Sequence, residues 1–265
     1  MNKKTALITG ASSGLGRELA RIHAERGGNL VIVARREEKL QALKQELQSK
    51  YGTETLILAK DLSRPEAPQE IYDAVKTAGI RIDYLINNAG FGGQGYFHAR
   101  TMEQDLQMIA VNIIALAKLT KLFLPDFIKR GNGRILNVSS TAALMPGPLQ
   151  AVYYATKAYV TAMDDAIWRE IRGTGVTITT LMPGGMDTGF ARASSLEGTQ
   201  LASAMVFSPR VVAEDGYAAM LRGEMEVISK LSFLQKILFK LLPLVPKKTL
   251  MNRIFSMQKQ GSSPV

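Results

Sequence analysis

Short runs of branched and apolar residues alternate with longer helix-like segments along most of the chain. The strand-like runs, rich in valine, isoleucine, leucine and threonine, cover residues 5–9, 30–33, 55–59, 82–86, 134–138 and 176–181. Helical patterns between them cover residues 15–26, 37–50, 66–77, 102–129 and 152–172. Because strands that alternate with helices form right-handed crossovers, this order predicts a parallel sheet with helices on both faces.

The predicted fold is a single α/β domain over residues 1–229, with a doubly wound, Rossmann-type parallel sheet of about seven strands. The seventh strand is expected over residues 226–229, after a helix near residues 211–222. In such folds ligands bind at the carboxyl ends of the strands. The stretch 184–208, rich in glycine, serine and other small residues, is therefore predicted to be a connection that covers the substrate.

The composition excludes several kinds of site. The chain has no cysteine and two histidines, so disulfides, thiolate zinc sites and histidine-rich metal sites are excluded, and no metal is expected. No uncharged apolar run is long enough to span a membrane, and the N-terminus lacks the pattern of a signal peptide. We therefore expect a cytoplasmic protein.

The net charge of +10 is concentrated at the C-terminal end of the chain. Residues 230–265 carry seven Lys or Arg and no Asp or Glu, whereas residues 1–229 carry 26 basic and 23 acidic side chains. The body shows no recognition motif and no basic patch interleaved with aromatic residues. Nucleic acid is therefore not an expected partner.

The C-terminal extension, residues 230–265, contains two amphipathic patterns with basic polar faces. Apolar residues recur at helical spacing over 231–242, Pro243 and Pro246 are expected to end that helix, and a second pattern follows over 250–255. Three roles remain open for the extension. It could pack on the body or on another subunit, cover a pocket for a hydrophobic or acyl-like substrate, or make peripheral contact with an anionic membrane through residues 230–260.

A glycine-rich turn joins the first predicted strand to the first predicted helix. Residues 9–16 have the spacing G-x-x-x-G-x-G, which lets backbone N–H groups approach a pyrophosphate at the helix N-terminus. The candidate cofactor-binding residues of this turn are Gly10, Ser12, Ser13, Gly14, Leu15 and Gly16. An ordinary Gly/Ser turn is the alternative, but the position before the first helix favours a cofactor site.

The same turn contains the G-x-S-x-G pattern of serine hydrolases. Their chemistry needs a histidine base that follows the serine and the acid along the chain. No histidine follows His98, and the turn comes after the first strand, so a hydrolase is disfavoured.

The end of the second strand indicates which nicotinamide cofactor would bind. NAD sites place an Asp or Glu there for the ribose 2′-hydroxyl. This chain has Arg35 and Arg36 instead, and their guanidinium groups can form paired hydrogen bonds with a 2′-phosphate. The pair predicts NADP (NADPH), with a solvated charge pair at the start of a helix as the alternative.

A candidate proton-transfer group lies at the start of the predicted helix 152–172. Tyr153 and Tyr154 precede Lys157 by four and three residues, so either phenol could share a helix face with the ammonium group. A tyrosine that exchanges protons near neutral pH needs its pKa lowered from about 10 to about 7. Lys157 and the positive ring of an oxidised nicotinamide are the expected sources of this change.

Taken together, these motifs resemble the short-chain dehydrogenase/reductase family over about residues 3–229. The matching features, in order, are the turn 9–16, Asn87-Asn88-Ala89-Gly90, Asn112, Ser139-Ser140, Tyr153 with Lys157, and Pro183-Gly184. The resemblance implies that Tyr153 donates the proton in reduction and accepts it in oxidation. It implies that Ser140 binds the substrate carbonyl, that Lys157 binds the ribose hydroxyls and lowers the tyrosine pKa, and that Asn112 holds a water of a proton relay.

The resemblance also implies cofactor contacts outside the glycine-rich turn, in which Tyr153 and Lys157 take part. Ser12 matches a position near the 2′-phosphate. The further implied contacts are Asp61, Leu62, Asn88, Ala89, Gly90, Pro183, Gly184 and Thr188. Other roles stay open for two of them, because Asn88 belongs to a sequence typical of turns and Asp61 could cap a strand end.

The sequence therefore predicts an NADP(H)-dependent oxidoreductase that interconverts a carbonyl and a secondary alcohol. The thirteen-residue interval between Ser140 and Tyr153 favours these two residues over Ser139 and Tyr154. A catalytically silent scaffold or cofactor sensor of the same fold is the alternative. The resemblance further implies a homodimer or homotetramer, formed through the long helices 102–129 and 152–172.

Overall fold

The computed structural model describes residues 3–186, 207–229 and 245–259 and has one parallel sheet of seven strands. The strands are β1 Thr5–Thr9, β2 Asn29–Ala34, β3 Thr55–Ala59, β4 Tyr84–Asn87, β5 Gly133–Val138, β6 Val176–Met182 and β7 Glu226–Ile228. Their order across the sheet is β3-β2-β1-β4-β5-β6-β7, and every neighbouring pair is parallel. The predicted doubly wound fold is confirmed.

Helices connect the strands and cover both faces of the sheet. Those in the described residues are α1 Gly14–Glu25, α2 Glu37–Tyr51, α3 Ala67–Thr77, α4 Met102–Arg130, α5 Ala151–Glu170, α6 Pro209–Arg222 and α7 Lys247–Gln258. A π-helical turn, Ala110–Ala115, interrupts α4, and a 3₁₀ turn, Thr141–Leu144, follows β5. The sequence pattern did not indicate either of these two turns.

Successive residues of each strand pack on opposite faces of the sheet. In β1, Ala6 and Ile8 contact the layer formed by α1, α2 and α6, whereas Leu7 contacts the layer formed by α3, α4 and the end of α5. Both faces are therefore buried. This double burial explains why the strands appear in the sequence as nearly continuous apolar runs.

Within the described residues, α4 is the one helix whose length and apolar composition would let it cross a membrane. Leu119, Phe123 and Phe127 of this helix are buried against the sheet. Packing in the core thus accounts for part of its apolar character, while Leu106, Ile114 and Ile128 are exposed.

The described part of the C-terminal extension is α7, which begins directly after Pro246. The second amphipathic pattern of the extension is therefore helical, as predicted. Ile254 and Gln258 are buried, so this helix packs on the body of the protein. The first predicted helix of the extension and most of the connection 184–208 lie outside the described residues.

Candidate active site

The glycine-rich turn between β1 and α1 has a backbone that side chains would obstruct. Gly10 and Gly14 have φ values of +68° and +53°, in the left-handed region that favours glycine. A Cβ on Gly16 would lie 2.4 Å from the carbonyl oxygen of Gly10. The Ser13 side chain makes no capping hydrogen bond to α1, so it leaves the N–H groups of the first turn available to an anion.

Asn88 holds this turn against the end of β4. Its Nδ2 donates to the Thr9 carbonyl at 2.9 Å and to the Gly10 carbonyl at 3.4 Å. In return, Thr9 Oγ1 accepts hydrogen bonds from the backbone N–H groups of Asn88 and Ala89, each at 3.0 Å. The structure therefore places the predicted Asn88 and Ala89 directly beside the glycine-rich turn.

Arg35 and Arg36 are exposed at the end of β2, close to the same turn. Arg36 Nη2 donates to Ser12 Oγ at 3.4 Å. Neither arginine is buried in the core, so both guanidinium groups can meet a ligand at this edge of the sheet. The structure thus places the predicted Ser12 next to one of the two predicted arginines.

Asp61 and Leu62, which follow β3, make contacts within the protein. Asp61 Oδ1 accepts hydrogen bonds from the Ser63 backbone N–H and hydroxyl, each at 2.9 Å. Burial acts to raise the pKa of Asp61, but these hydrogen bonds and the charge of Arg35 together hold it below its usual value. Leu62 is buried in the core. Asp61 therefore forms the strand-end turn considered as an alternative, and the adenine contact stays a prediction.

Three predicted residues form a cluster where β5 ends and α5 begins. Tyr153 is buried in the first turn of α5 and hydrogen-bonded to Ser140. Ser140 Oγ also caps the 3₁₀ turn by accepting from Ala142 N at 3.1 Å. Lys157 Nζ lies 5.9 Å from the centre of the Tyr153 ring and donates to the Val138 carbonyl at 2.9 Å. The hydroxyl of the half-buried Ser140 therefore lies beside the buried phenol of Tyr153 and the buried amine of Lys157.

Burial shifts the pKa values of this cluster toward the neutral forms. Burial raises the pKa of Tyr153 to about 12, although the hydrogen bond with Ser140 acts in the opposite direction. Burial lowers the pKa of Lys157 to about 8. The protein's own groups therefore do not produce the lowered tyrosine pKa that the sequence analysis expected, because desolvation outweighs them. At this pKa the phenol is protonated at neutral pH but is a weaker acid than free tyrosine, so proton transfer near neutrality requires its pKa to fall when the cofactor binds.

The two neighbouring residues that the sequence analysis disfavoured have structural contacts. Ser139 is buried, and its Oγ donates to the Lys157 carbonyl at 3.0 Å and lies 2.9 Å from Thr161 Oγ1. The hydroxyl of Tyr154 accepts a hydrogen bond from Gln258 Nε2 at 3.1 Å. Ser139 therefore binds α5 to the end of β5, and Tyr154 binds α5 to α7.

Asn112 lies in the π-helical turn of α4 and forms hydrogen bonds with the loop that follows β4. Its Oδ1 accepts from Phe91 N at 3.1 Å, and its Nδ2 donates to the Phe91 carbonyl at 2.9 Å and to Thr156 Oγ1 at 3.1 Å. A Cβ on Gly90 would lie 3.1 Å from Asn112 Oδ1 and 3.4 Å from Lys157 Nζ. Asn112 and Gly90 thus adjoin the cluster, while the role of Asn112 in a water relay stays a prediction.

Pro183 and Gly184 follow β6 and border the cluster. The Pro183 carbonyl accepts from Thr141 N at 3.0 Å and from Ser140 Oγ at 3.5 Å. The predicted contact Thr188 lies outside the described residues. In the part of the chain that the structure describes, no group of three or more His, Asp or Glu residues could hold a metal ion.

Gln258, at the end of α7, was not predicted from the sequence, and its buried side chain donates to the hydroxyl of Tyr154, the neighbour of Tyr153. Its Oε1 accepts from Gln150 Nε2 at 2.8 Å, in addition to the bond with Tyr154. One signal was present in the sequence. Gln258 follows Ile254 by four residues and so lies on the buried face of the second amphipathic pattern.

A doubly wound sheet with a glycine-rich turn before its first helix defines a dinucleotide-binding type of fold. Comparison with known proteins agrees: a family model for short chain dehydrogenases matches residues 4–197. The very-long-chain 3-oxoacyl-CoA reductase of Homo sapiens is 33% identical over 184 residues, which are 67% of this chain and 58% of the relative.

Two solved structures are similar over nearly the whole chain. A short-chain dehydrogenase from Sphingobium yanoikuyae in complex with NADPH is 27% identical, with 98% of each chain covered and a TM-score of 0.82. A bulky-bulky ketone specific alcohol dehydrogenase from Comamonas testosteroni is 25% identical, with 100% of this chain and 98% of that chain covered and a TM-score of 0.79.

The chain therefore belongs to the short-chain dehydrogenase family, and the resemblance in the sequence motifs is confirmed. The match spans 58% of the length of the human relative.

Proposed function

We propose that the protein is an NADP(H)-dependent oxidoreductase that interconverts a carbonyl and a secondary alcohol. The observation that carries the proposal is the hydrogen bond between Ser140 and the buried Tyr153, with Lys157 Nζ 5.9 Å from the Tyr153 ring. These three residues lie at the carboxyl ends of the parallel strands, where such folds bind their ligands.

The residues around the glycine-rich turn fit a nicotinamide dinucleotide. The turn gives close backbone approach, since a Cβ at Gly16 would collide with the Gly10 carbonyl, and the start of α1 provides N–H groups for a pyrophosphate. Arg35 and Arg36, with Ser12 beside them, offer donors that favour a 2′-phosphate. When bound, the cofactor supplies the hydride in reduction and takes it up in oxidation.

The roles of the protein groups follow from their chemistry. In reduction, the hydroxyls of Ser140 and Tyr153 bind the carbonyl oxygen, and Tyr153 gives its proton to that oxygen as the alcohol forms. The pKa of Tyr153 lies well above neutral pH, so the phenol is protonated before the reaction. The ammonium group of Lys157 stabilises the phenolate that remains.

The surroundings of Tyr153 favour a hydrophobic substrate. The buried cluster around it has an apolar composition, and its members and packing partners are Met108, Ala142, Tyr154, Phe91, Met145 and Val152. The names of two similar proteins refer to very-long-chain 3-oxoacyl-CoA and to bulky ketones. We therefore infer a hydrophobic ketone or a 3-oxoacyl thioester as the substrate class.

The test is the loss of NADPH absorbance when the purified protein meets a panel of ketones and 3-oxoacyl thioesters. Tyr153→Phe should lower kcat/KM by about 10²–10⁴-fold, because it removes the proton and keeps the ring. Tyr159→Phe is the matched control, since Tyr159 lies on the same helix and is exposed. Unchanged turnover in Tyr153→Phe would exclude the mechanism. Binding of NADPH without turnover of any substrate would instead favour a cofactor sensor.

We also infer a homodimer or homotetramer. The outer surfaces of α4 and α5 carry large exposed apolar side chains, namely Leu106, Ile114, Ile128 and Tyr159. Apolar surface of this kind favours burial between subunits. Light scattering of the purified protein measures the oligomeric state, and a monomer at micromolar concentration would contradict this inference.

A further inference from the structure

The last turn of α7 is anchored inside the protein by Gln258, which is 0% exposed. Its Nε2 donates to the Tyr154 hydroxyl at 3.1 Å, and its Oε1 accepts from Gln150 Nε2 at 2.8 Å. Its backbone carbonyl accepts a third hydrogen bond from Gln94 Nε2. Both ends of the Gln258 amide are therefore used, as a buried amide requires.

The partners of Gln258 come from segments that border the active site. Gln94 lies in the loop after β4, which also contains Gly90, while Gln150 is the residue before α5 and Tyr154 lies in the first turn of α5. The end of α7 thus joins this loop to the helix that carries Tyr153 and Lys157. If α7 only packed on the body of the protein, its last turn would not need hydrogen bonds to both of these segments.

The segment before α5 is held in a strained conformation. Leu149 has a φ of +66°, and it is the one residue other than glycine with a positive φ in the described part of the chain. Such a backbone persists only where its surroundings hold it. The Leu149 carbonyl accepts from Gly95 N at 2.9 Å, and Gln150, the next residue, is tied to Gln258. The strained residue therefore directly precedes Gln150, the residue that Gln258 holds.

The contact between Gln258 and Tyr154 affects Tyr153 through the packing of the two tyrosine rings. The rings of Tyr153 and Tyr154 meet edge to face, with centroids 6.0 Å apart and an angle of 79° between their planes. The Tyr154 ring also packs so closely on Gly147 that a Cβ there would lie 2.3 Å from it. The hydrogen bond from Gln258 fixes the Tyr154 ring, and that ring forms part of the surroundings of Tyr153.

We propose that Gln258 is a positioning residue of the active site: it fixes Tyr154 and the first turn of α5, and thereby holds Tyr153 against Ser140. The role rests on the proposed carbonyl reductase activity. It makes the last turn of α7 part of the catalytic machinery, although α7 lies about a hundred residues beyond Tyr154 in the chain.

The test uses the full-length protein with NADPH and one ketone substrate that the wild type reduces. Gln258→Met keeps the length of the side chain and removes its hydrogen bonds, and Tyr154→Phe removes the acceptor. Each should lower kcat about 10-fold or more and change KM for NADPH much less, because the glycine-rich turn, Arg35 and Arg36 lie outside this contact. The double variant should lose little more than either single variant, since both changes break the same contact.

Asn252→Met is the control, because it also replaces an amide on α7 but at an exposed position. It should keep wild-type kcat. Ile254→Ala weakens the packing of α7 without touching the amide network, and it should lower Tm while kcat below Tm stays near the wild-type value. Wild-type kcat in Gln258→Met, or losses that simply multiply in the double variant, would overturn the positioning role.

The two proposals fail in different ways in this experiment. If the wild type fails to oxidise NADPH with every carbonyl substrate tested, the proposed function is wrong, and the role of Gln258 is wrong with it. If the wild type turns over and Tyr153→Phe does not, but Gln258→Met matches Asn252→Met, only the role of Gln258 is wrong.

Discussion

The carboxyl group of Asp164 accepts a hydrogen bond from Asn137 Nδ2 at 2.7 Å, and both residues are buried. Its second oxygen accepts from Thr180 Oγ1 at 2.8 Å. Asp164 lies on α5, seven residues after Lys157, while Asn137 and Thr180 belong to β5 and β6. This carboxyl group therefore attaches the helix of the candidate active site to two neighbouring strands of the sheet.

The protonation of Asp164 should make stability depend on pH. Burial raises its pKa to about 7 in the folded state, although the hydrogen bonds from Asn137 and Thr180 act in the opposite direction. Between about pH 4 and pH 7 the folded chain then holds a proton that the unfolded chain has lost. The contribution of Asp164 to stability is complete below this range, falls by up to about 1.4 kcal/mol per pH unit as pH rises through it, and is lost above it.

Urea unfolding between pH 5 and pH 8 measures this contribution. Asp164→Asn keeps the shape and one oxygen, so its unfolding free energy should change less with pH than that of the wild type. The exposed Asp73→Asn serves as the control and should follow the wild type. Parallel pH profiles for wild type and Asp164→Asn would show that this carboxyl group does not titrate in the range.

The fold could be predicted because both faces of the sheet are buried. Strands such as β1 and β6 are then apolar throughout and stand out from the amphipathic helices between them. Within the cluster, Tyr153 and Lys157 are close in the sequence, so helical spacing alone places them together. The family's thirteen-residue interval then pointed to Ser140, and the structure gives that serine the contact with Tyr153.

Contacts between distant segments could not be predicted in the same way. The bond between Gln258 and Tyr154 joins residues 104 positions apart, and nothing local in the sequence encodes it. The π-helical turn around Asn112 was also missed, because a single wider turn leaves the apolar pattern of α4 nearly unchanged. The raised pKa of Tyr153 in the protein without cofactor could not be predicted either, because desolvation depends on how deeply the start of α5 is buried, which the sequence does not state.

Exchanging the charge at the end of β2 should change the choice of cofactor. Arg35→Asp places a carboxylate where a 2′-phosphate is expected, so KM for NADPH should rise about 10–100-fold while KM for NADH changes little or falls. Steady-state kinetics with both cofactors give the ratio. Lys39→Asp, an equal charge change at an exposed site on α2, should leave the ratio unaltered. An unaltered ratio in Arg35→Asp would contradict the NADP assignment.

A methyl group at Gly16 should distort the glycine-rich turn and obstruct the cofactor site. The added Cβ would lie 2.4 Å from both the Gly10 carbonyl and Asn88 Nδ2, and the carbonyl is backbone that cannot rotate away. Gly16→Ala should therefore weaken NADPH binding by more than about 10-fold and destabilise the fold by about 1–3 kcal/mol. Calorimetric titration and urea unfolding measure these two effects.

The control for this substitution is Gly52→Ala, at the end of α2. Gly52 has a φ of +61° and open space around it, so the variant carries backbone strain without touching the turn. It should lose about 1 kcal/mol of stability and bind NADPH normally. Equal NADPH affinity in both variants would indicate that the turn does not contact the cofactor.

Substitution of Ser140 should mainly affect catalysis, whereas substitution of its neighbour Ser139 should mainly affect stability. Ser140→Ala removes the hydroxyl that is bonded to Tyr153, so kcat should fall about 10²–10³-fold while KM for NADPH is little changed. Ser139→Ala instead removes the buried contacts with the Lys157 carbonyl and Thr161, so it should cost about 1–3 kcal/mol of unfolding free energy and keep most of kcat. Stopped-flow reduction assays and urea unfolding of the two variants give the comparison, and a larger loss of kcat in Ser139→Ala would reverse the assignment of the two hydroxyls.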